Sequence, residues 1–336
     1  MGVIFASGGF ASNAQMVRAN FGERSVRGTC AAPTNTGDFM HILKRDLGMS
    51  CENLKLSRAW VKQTVRVFES DTFRDRKHTH TYQVLPFSRQ RNGVFFLNAD
   101  SAFVVDRTGQ RFQNEKHHYQ ERGNFMLDHL ETHRLVFFVF DSRAREMYAG
   151  PIRGLGGPIP MLGQGEDCIV SGNTIQERSS NLRTHLSKHI DDSFELSRDF
   201  EKNLELTTTR FNRYAETGID PEFRRGENAG DYTWHLVGRA EDNKYPNKTM
   251  HPLRPTYHCL VLGISLLDTK AGPRIDRKAR VLDDSGSPIE NLFGAGNCVH
   301  SSSNRSYWSA GCTISHAMTF GYVAGRECVL GSSSKM

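Results

Sequence analysis

The chain has 336 residues, of which 38% are hydrophobic and 30 are glycine, so a sizeable core is available and wholesale disorder is excluded. Its net charge of +6 comes from 43 basic and 37 acidic residues scattered along the sequence, which favours a small anionic partner over nucleic acid. No apolar run approaches the ~18 residues that cross a bilayer, and 7 cysteines without a CxxC pair argue against a disulfide scaffold and a zinc site.

The first elements predict the strand–turn–helix unit that is typical of α/β nucleotide-binding domains. An apolar strand at residues 3–6 runs into Ser7, Gly8 and Gly9. Asn13 then precedes a capped helix over residues 14–21. A second helix is predicted over residues 39–48, where the apolar side chains recur on one side.

The middle of the chain is more charged and more helical than either end. Its predicted elements, in order, are extended segments at 93–97 and 102–106, a buried strand at 135–141, a loop at 150–165 and helices within 174–217 that end at Gly218. Polar sequence follows to residue 256. A final α/β block begins at Tyr257 and closes with a strand at 292–296 and a helix at 313–328. We therefore expect one discontinuous domain that carries a large insertion.

The segment that points most strongly to chemistry joins the last predicted strand to the last helix. The strand ends in Gly294-Ala295-Gly296-Asn297, and the helix begins near Thr313, after Gly311 and Cys312. The first backbone N–H groups of a helix are unpaired and carry the positive end of its dipole, so they suit an electron-rich group such as the O2/N1 edge of a flavin. Alternatively, the segment is only a Thr-capped helix packed on a sheet.

A polar group follows the strand at 102–106 and consists of Arg111, Asn114, Glu115 and Tyr119. A tyrosine or a glutamate at this position can do acid–base work if it is removed from water. The alternative interpretation, which the pattern by itself favours, is a surface turn that carries a salt bridge. A metal site is not expected, because His117-His118 has no ligands at suitable spacing elsewhere.

Taken together and in this order, these segments resemble the FAD-dependent flavoproteins of the fumarate reductase and succinate dehydrogenase family. They are most similar to the branch of the 3-ketosteroid Δ1-dehydrogenases. The matching stretches are Phe5-Ala6-Ser7-Gly8-Gly9-Phe10, Thr36-Gly37-Asp38, residues 107–115, residues 210–218, residues 220–226, Leu267-Asp268-Thr269-Lys270-Ala271-Gly272-Pro273 and residues 295–322.

The resemblance implies an α/β fold with an α+β cap, in which an incomplete Rossmann-like FAD-binding domain holds an inserted substrate-capping domain. The FAD-binding domain comprises residues 1–60 and 263–336, and the cap comprises residues 61–262. The cofactor is FAD. The residues that the resemblance places against it are Ser7, Gly8, Gly9, Gly296, Asn297, Gly311, Cys312, Thr313 and Ile314.

The implied reaction is dehydrogenation of a Cα–Cβ bond beside a ketone. Tyr307 and the amide of Gly311 hold the ketone oxygen, and Tyr119 takes the α-proton. The implied partners are a small steroid-like ketone or an enoate and an external electron acceptor, with no nucleic acid and no transmembrane segment. The alternatives are a fumarate or enoate reductase of the same family and a truncated, non-catalytic relative.

The sequence departs from the family at several positions. The family's opening strand and GxGxxG loop precede the first matching segment, so we expect the pyrophosphate site to be missing from this chain. Ala271 and Cys312 replace small, mostly glycine residues, and we expect their side chains to approach the flavin. The expected compartment is the cytoplasm, with the peroxisome as the alternative because the chain ends in Ser334-Lys335-Met336.

Overall fold

The structure is a computed structural model. It describes residues 2–22, 29, 31–49, 60–65, 97, 99–149, 151–152, 155–156, 159, 169–189, 194–235, 242–303, 306 and 311–333. Tyr307, the terminal triplet and most of the predicted segment at 93–97 lie outside these residues. The chain divides into two compact units, residues 1–61 with 265–336 and residues 62–264. Among the described helices none is both long and apolar enough to cross a lipid bilayer.

Helices and strands are interspersed along the described parts of the chain. The strands are β1 (Val3–Phe5), β2 (Trp60–Val65), β3 (Ala102–Val105), β4 (Leu135–Asp141), β5 (Pro151–Ile152), β6 (Leu155–Gly156), β7 (Val170–Gly172), β8 (Tyr257–Asp268), β9 (Arg280–Leu282) and β10 (Pro288–Gly294). The helices are α1 (Ala14–Phe21), α2 (Asp38–Leu47), α3 (Tyr119–Asp128), α4 (Leu130–His133), α5 (Ser142–Tyr148), α6 (Ile175–His189), α7 (Phe200–Thr217), α8 (Ala229–His235) and α9 (Cys312–Ser333).

The first unit contains a three-stranded sheet in the order β1-β10-β9. Strand β1 pairs in parallel with β10, so that Phe5 lies opposite Gly294, while β9 and β10 form an antiparallel hairpin. Helix α2 packs on this sheet, and the ring of Phe39 stacks on that of Phe5 with 4.0 Å between the centroids. Strand β1 is therefore fixed by its pairing with β10 and by its contact with α2.

Local signals in the sequence correctly predicted where several helices begin and end. The side chain of Asn13 accepts a hydrogen bond from the amide of Met16 at 3.1 Å and caps α1. Helix α7 ends at Gly218, whose backbone is left-handed with φ of 81°. These helix ends agree with the sequence because each depends on a side chain or a glycine within one turn.

The second unit is built on a sheet of five strands in the order β2-β8-β4-β3, with β7 also paired to β8. The pairings of β3 with β4, of β4 with β8 and of β7 with β8 are antiparallel. Every residue of the predicted strand β4 is buried. Its core is apolar and is formed by the sheet together with helices α6 and α7; the largest buried members are Phe103, Phe137, Phe200 and Phe211. An apolar core of this size gives the unit its own source of stability.

Several elements were not predicted. The segment at 150–165, expected to be a loop, contains the two-residue strands β5 and β6, which pair with each other. The polar stretch before Tyr257 contains helix α8, and helix α3 follows the polar group at residues 111–115. Strand β10 begins at Pro288 and ends at Gly294, earlier than the predicted strand at 292–296. These elements are short or polar, so tertiary contacts rather than local pattern decide them.

Candidate functional site

The first predicted flavin-binding segment, Ser7-Gly8-Gly9, follows directly after strand β1 in the first unit. It packs closely on the segment after β8, because the amide of Phe10 donates to the Thr269 hydroxyl oxygen at 2.8 Å. A Cβ atom on Gly9 would stand only 2.1 Å from that oxygen. Glycine is therefore required at this position by the approach of two backbone segments.

The carboxylate of Asp268 connects the segment after β8 to the segments that contain Asn35 and Asn297. One oxygen accepts hydrogen bonds from the side-chain amides of Asn35 at 2.8 Å and Asn297 at 2.9 Å. The other oxygen accepts from the amide of Thr269 at 2.7 Å. Burial raises the pKa of Asp268, and the three hydrogen bonds act in the opposite direction.

Sequence reasoning quoted Asp268 within a motif but gave it no role. The signal available was its position at the end of a long buried strand, where a carboxylate needs partners. The structure shows that it holds Asn297 in place, so one predicted cofactor residue depends on a residue that the sequence analysis did not select.

The short turn formed by Gly296, Asn297 and Cys298 follows β10. The amide of Ala295 donates to the carbonyl of Phe5 at 2.9 Å, which continues the pairing between the two parallel strands beyond their ends. A Cβ atom on Gly296 would lie 3.5 Å from the Cβ of Ala317 in α9. Ser7, Gly8, Gly9, Gly296 and Asn297 thus lie at the same end of β1 and β10.

Helix α9 begins at Cys312, as its predicted position near Thr313 implied. Gly311 precedes it with φ of +89°, and its carbonyl accepts the first helical hydrogen bond from Ser315 at 2.8 Å. Among the described residues no atom lies within 4 Å of the place where a Cβ of Gly311 would be. None of the described residues therefore covers this side of the helix start.

The residues present fit a flavin at this helix start. The amides of Cys312, Thr313 and Ile314 occupy the first helical turn, where N–H groups have no partner within the helix and the dipole is positive. The side chain of Ile314 is 66% exposed, whereas that of Cys312 is buried. The side chain of Ala271 is buried as well. The approach of these two side chains to the flavin stays a prediction.

Tyr119 is the first residue of helix α3 and belongs to the second unit, whereas the predicted cofactor residues belong to the first. Its side chain is buried, and its ring lies 4.1 Å from that of His118. Burial, assisted by the charge of Arg122, lowers the pKa of His118 to about 4, so this imidazole is neutral at pH 7. The role of Tyr119 stays a prediction.

The polar group at residues 111–115 is buried, which corrects the interpretation as a surface turn. Arg111 makes two hydrogen bonds of 2.9 Å to the carboxylate of Glu115 and a third of 2.9 Å to Asp220. Arg225 donates to the same carboxylate of Glu115 at 3.1 Å. Asn114 binds Asp231 at 2.9 Å. The group therefore connects the segment after β3 to residues more than 100 positions later.

Glu115 does not fit the acid–base role that its position suggested. Burial by itself would raise the pKa of this carboxyl, but the guanidinium groups of Arg111 and Arg225 outweigh that effect and hold the pKa at about 2. The carboxylate is therefore ionised at neutral pH and fully engaged in ion pairs. Its function in the described structure is to stabilise the fold.

Residues 1–314 match the family described as FAD binding domain. The 4-oxocyclohexanecarboxylate 2-dehydrogenase of Sinomonas cyclohexanicum is 30% identical over 330 residues, which cover 96% of this chain and 50% of that enzyme. The 3-oxosteroid 1-dehydrogenase of Mycobacterium tuberculosis is 27% identical over 332 residues, covering 96% of this chain and 52% of that enzyme.

A solved structure supports the same relationship. The chain is similar to 3-ketosteroid delta1-dehydrogenase from Sterolibacterium denitrificans in complex with 1,4-androstadiene-3,17-dione, with a TM-score of 0.74 and 25% identity. The similarity covers 98% of this chain and 53% of that one. The chain therefore spans about half the length of the relatives that it matches.

Proposed function

Because this chain belongs to the FAD binding domain family, we propose that it is a flavin-dependent dehydrogenase that desaturates the Cα–Cβ bond beside a ring ketone. One observation carries the proposal. Two relatives that match 96% of this chain are named as dehydrogenases of a 4-oxocyclohexanecarboxylate and of a 3-oxosteroid, and both names describe a ketone within a ring. A cyclic, steroid-like ketone is therefore the proposed substrate class, with an external electron acceptor as the second partner.

The residues proposed to hold FAD lie around the ends of β1 and β10 and the start of α9. They are Ser7, Gly8, Gly9, Gly296, Asn297, Gly311, Cys312, Thr313 and Ile314. When bound, FAD supplies the acceptor for the hydride that leaves the β-carbon of the substrate. The chain itself supplies position and hydrogen-bond donors, and the open side of Gly311 allows a ligand to approach the main chain.

The ketone oxygen is proposed to accept hydrogen bonds from the Tyr307 hydroxyl and the Gly311 amide. As the α-proton leaves, negative charge develops on this oxygen, and two fixed donors stabilise the resulting enolate. Gly311 suits this role because it stands at the positive end of the long helix α9. Loss of the hydride from the β-carbon then completes the carbon–carbon double bond.

The α-proton is proposed to pass to the oxygen of Tyr119. The residue stands at the N-terminal end of α3, where the helix dipole favours a phenolate. This position supports a tyrosine that can accept a proton from carbon.

The proposal is tested by titrating the purified chain with FAD and recording its visible spectrum and melting temperature. We expect a flavin spectrum and a rise in Tm, because a ligand that binds only the folded state stabilises it. The loaded chain is then mixed with 4-oxocyclohexanecarboxylate or a 3-oxosteroid and a dye acceptor, and the dye should be reduced. Absence of flavin binding, or turnover only from alkene to alkane with a reduced dye, would contradict the proposal.

The two tyrosines are tested by removing one hydroxyl at a time. Tyr119→Phe is expected to lower kcat by about 10²–10⁴, as loss of a general base does, and Tyr307→Phe by about 10²–10³, as loss of an oxyanion donor does. The affinity for FAD, measured from the visible spectrum, should stay within about threefold in both variants, because a threefold change is below 1 kcal/mol.

The matched control is Tyr322→Phe, which removes the hydroxyl of a tyrosine that is 72% exposed on α9. Its turnover should equal that of the unmodified chain. Unchanged turnover in Tyr119→Phe or Tyr307→Phe would remove that residue from the mechanism.

The compartment is proposed to be the cytoplasm, with the peroxisome as the alternative that the C-terminal Ser334-Lys335-Met336 suggests. Expression of the chain with a fluorescent protein at its N-terminus, which leaves the terminal triplet accessible, distinguishes the two. Diffuse fluorescence supports the cytoplasm, and punctate fluorescence that is lost when the triplet is deleted supports the peroxisome.

A further inference from the structure

The segment that leads to Tyr307 is attached at its first residues to the segment that follows β8. The amide of His300 donates to the carbonyl of Pro273 at 2.9 Å, and the amide of Ser301 donates to the carbonyl of Lys270 at 3.2 Å. Two stretches that are about 30 positions apart in sequence are therefore paired by their backbones. The second of them, residues 300–306, is here called the serine segment.

The serine segment also forms hydrogen bonds within itself. The hydroxyl groups of Ser301 and Ser303 are 2.9 Å apart, and the amide of Ser306 donates to the carbonyl of Ser303 at 2.9 Å. The side chains of Ser301 and Ser303 are both buried. Among the described residues of the segment, Ser301 and Ser303 are thus linked to each other inside the protein, and Ser303 is linked to Ser306 by the backbone.

The ammonium group of Lys270 forms two hydrogen bonds with the serine segment. Its Nζ donates to the carbonyl of Ser306 at 2.9 Å and to the hydroxyl of Ser303 at 3.3 Å. Lys270 and Ser303 are both buried, so the hydrogen bond between them is removed from water, whereas Ser306 lies at the surface. Hydrogen bonds from a charged donor are roughly twice as strong as those between neutral groups.

We propose that Lys270 is a positioning residue, which fixes the serine segment and thereby places Tyr307 for the ketone. This inference rests on the proposed function. Ser306, whose carbonyl accepts from Lys270, directly precedes Tyr307 in the sequence, and Gly311 follows four positions after it. The ammonium therefore binds the residue that directly precedes the stretch with both proposed ketone donors.

Lysine is suited to this role because its long side chain carries a compact charge with three hydrogen-bond donors, which can bind two separate acceptors. Burial lowers the pKa of Lys270 to about 8, while the nearby Cys312 raises it. The amine is thus still mostly protonated at pH 7, in the form that donates the stronger hydrogen bonds.

The experiment compares Lys270→Met with the unmodified chain by hydrogen–deuterium exchange of the peptide that covers residues 301–311, without FAD. The methionine keeps the apolar stem and removes the donors, so exchange in this peptide should become at least about tenfold faster, because opening the segment costs less free energy. The control is Lys278→Met, which changes an exposed lysine and should leave the peptide unaffected. Unchanged exchange in Lys270→Met would overturn the proposal.

Kinetics of the FAD-loaded variants provide the second readout. If Lys270 places Tyr307, Lys270→Met should lower kcat by about tenfold or more while KM stays within about threefold, since a misplaced donor is lost mainly in the transition state. Lys270→Arg should recover part of kcat, because a guanidinium can still donate to the Ser306 carbonyl. A rise in KM alone, without loss of kcat, would contradict the positioning role.

The two proposals fail in different ways. Faster exchange in Lys270→Met, together with no ketone turnover by the unmodified chain, would retain the anchor and reject the proposed function. If Lys270→Met does not fold, Ser303→Ala removes the 3.3 Å contact with Lys270 together with the 2.9 Å contact with the Ser301 hydroxyl, and it should increase exchange of the same peptide. No increase in Ser303→Ala would then reject the anchor.

Discussion

At the scale of single residues, the buried carboxylate of Glu115 shows how charge partners decide chemistry. A carboxyl group in a dry environment is usually a candidate acid, because burial raises its pKa. Here two guanidinium groups outweigh that effect and keep the group ionised. Asp268, half-buried and bonded to amides, shows the opposite balance and has a raised pKa. The two guanidinium partners of Glu115 therefore reverse the effect that burial has by itself.

Glu115 gives a prediction for acid stability. Its pKa is lowered from 4.5 to about 2 on folding, so its contribution to the free energy of unfolding is fully present above pH 4.5 and is lost as the pH falls toward 2. The shift corresponds to about 3 kcal/mol at most, at 1.36 kcal/mol per pKa unit. Urea unfolding at pH 7, 4.5 and 3 should show this loss.

Glu115→Gln should be less stable than the unmodified chain at pH 7 and should lose less stability between pH 4.5 and pH 3. The control is Glu205→Gln, which changes an exposed side chain of α7 and should follow the unmodified chain at each pH. An equal loss of stability in Glu115→Gln and in the unmodified chain would show that other groups cause the acid dependence.

At the scale of elements, close approach between backbone segments places strict demands on the sequence of the first unit. Gly272 lies between Ala271 and Pro273, and a Cβ atom on it would stand 2.1 Å from the carbonyl oxygen of Cys298. The segment after β8 therefore packs directly on the turn that carries Asn297. The sequence tolerates alanine at position 271, whose methyl group is buried without such a conflict.

Gly272→Ala is expected to destabilise the chain by about 1–3 kcal/mol or more, because overpacking must displace the backbone of the turn at residues 296–298. Thermal unfolding measures the effect. Gly325→Ala is the matched control within the same unit, since among the described residues nothing lies within 4 Å of the added methyl group. In the helix interior it should stabilise by up to about 1 kcal/mol. Equal melting temperatures for the two variants would contradict this account.

Helix α9 carries an apolar side that the described residues do not cover. Its exposed members are Ile314, Met318, Tyr322, Val329 and Leu330. The helix is therefore held in the first unit by its other side, where Ala324 and Phe320 contact the core near Phe293. Its start, not its exposed side, is the part that the proposed function uses.

At the scale of the whole molecule, the chain combines a unit with a parallel strand pair and a unit with its own phenylalanine-rich core. The predicted cofactor residues fall in the first unit, and the predicted proton acceptor Tyr119 falls in the second. A reaction that uses both units requires each to be folded, so variants in either unit are expected to affect turnover. The assignment of the units to a cofactor domain and a cap stays a prediction.

The sequence by itself determined the family, the fold class and the elements whose signals are local. The motifs at residues 5–10, 267–273 and 295–322 pointed to a flavoprotein, which the family match confirms. Asn13 and Gly218 marked helix ends, and the continuous apolar run of β4 marked a buried strand. These features were predictable because each depends on a few residues that are close together in the sequence.

Only the tertiary structure decided the contacts between distant parts of the chain. It showed that the ionised carboxylate of Glu115 is paired with Arg225, 110 positions away. It also showed that the carboxylate of Asp268 accepts hydrogen bonds from both Asn35 and Asn297. A third such contact is the hydrogen bond from the ammonium of Lys270 to the carbonyl of Ser306. No local pattern encodes such pairs, since the strength of a buried charge or hydrogen bond depends on partners that folding alone brings together.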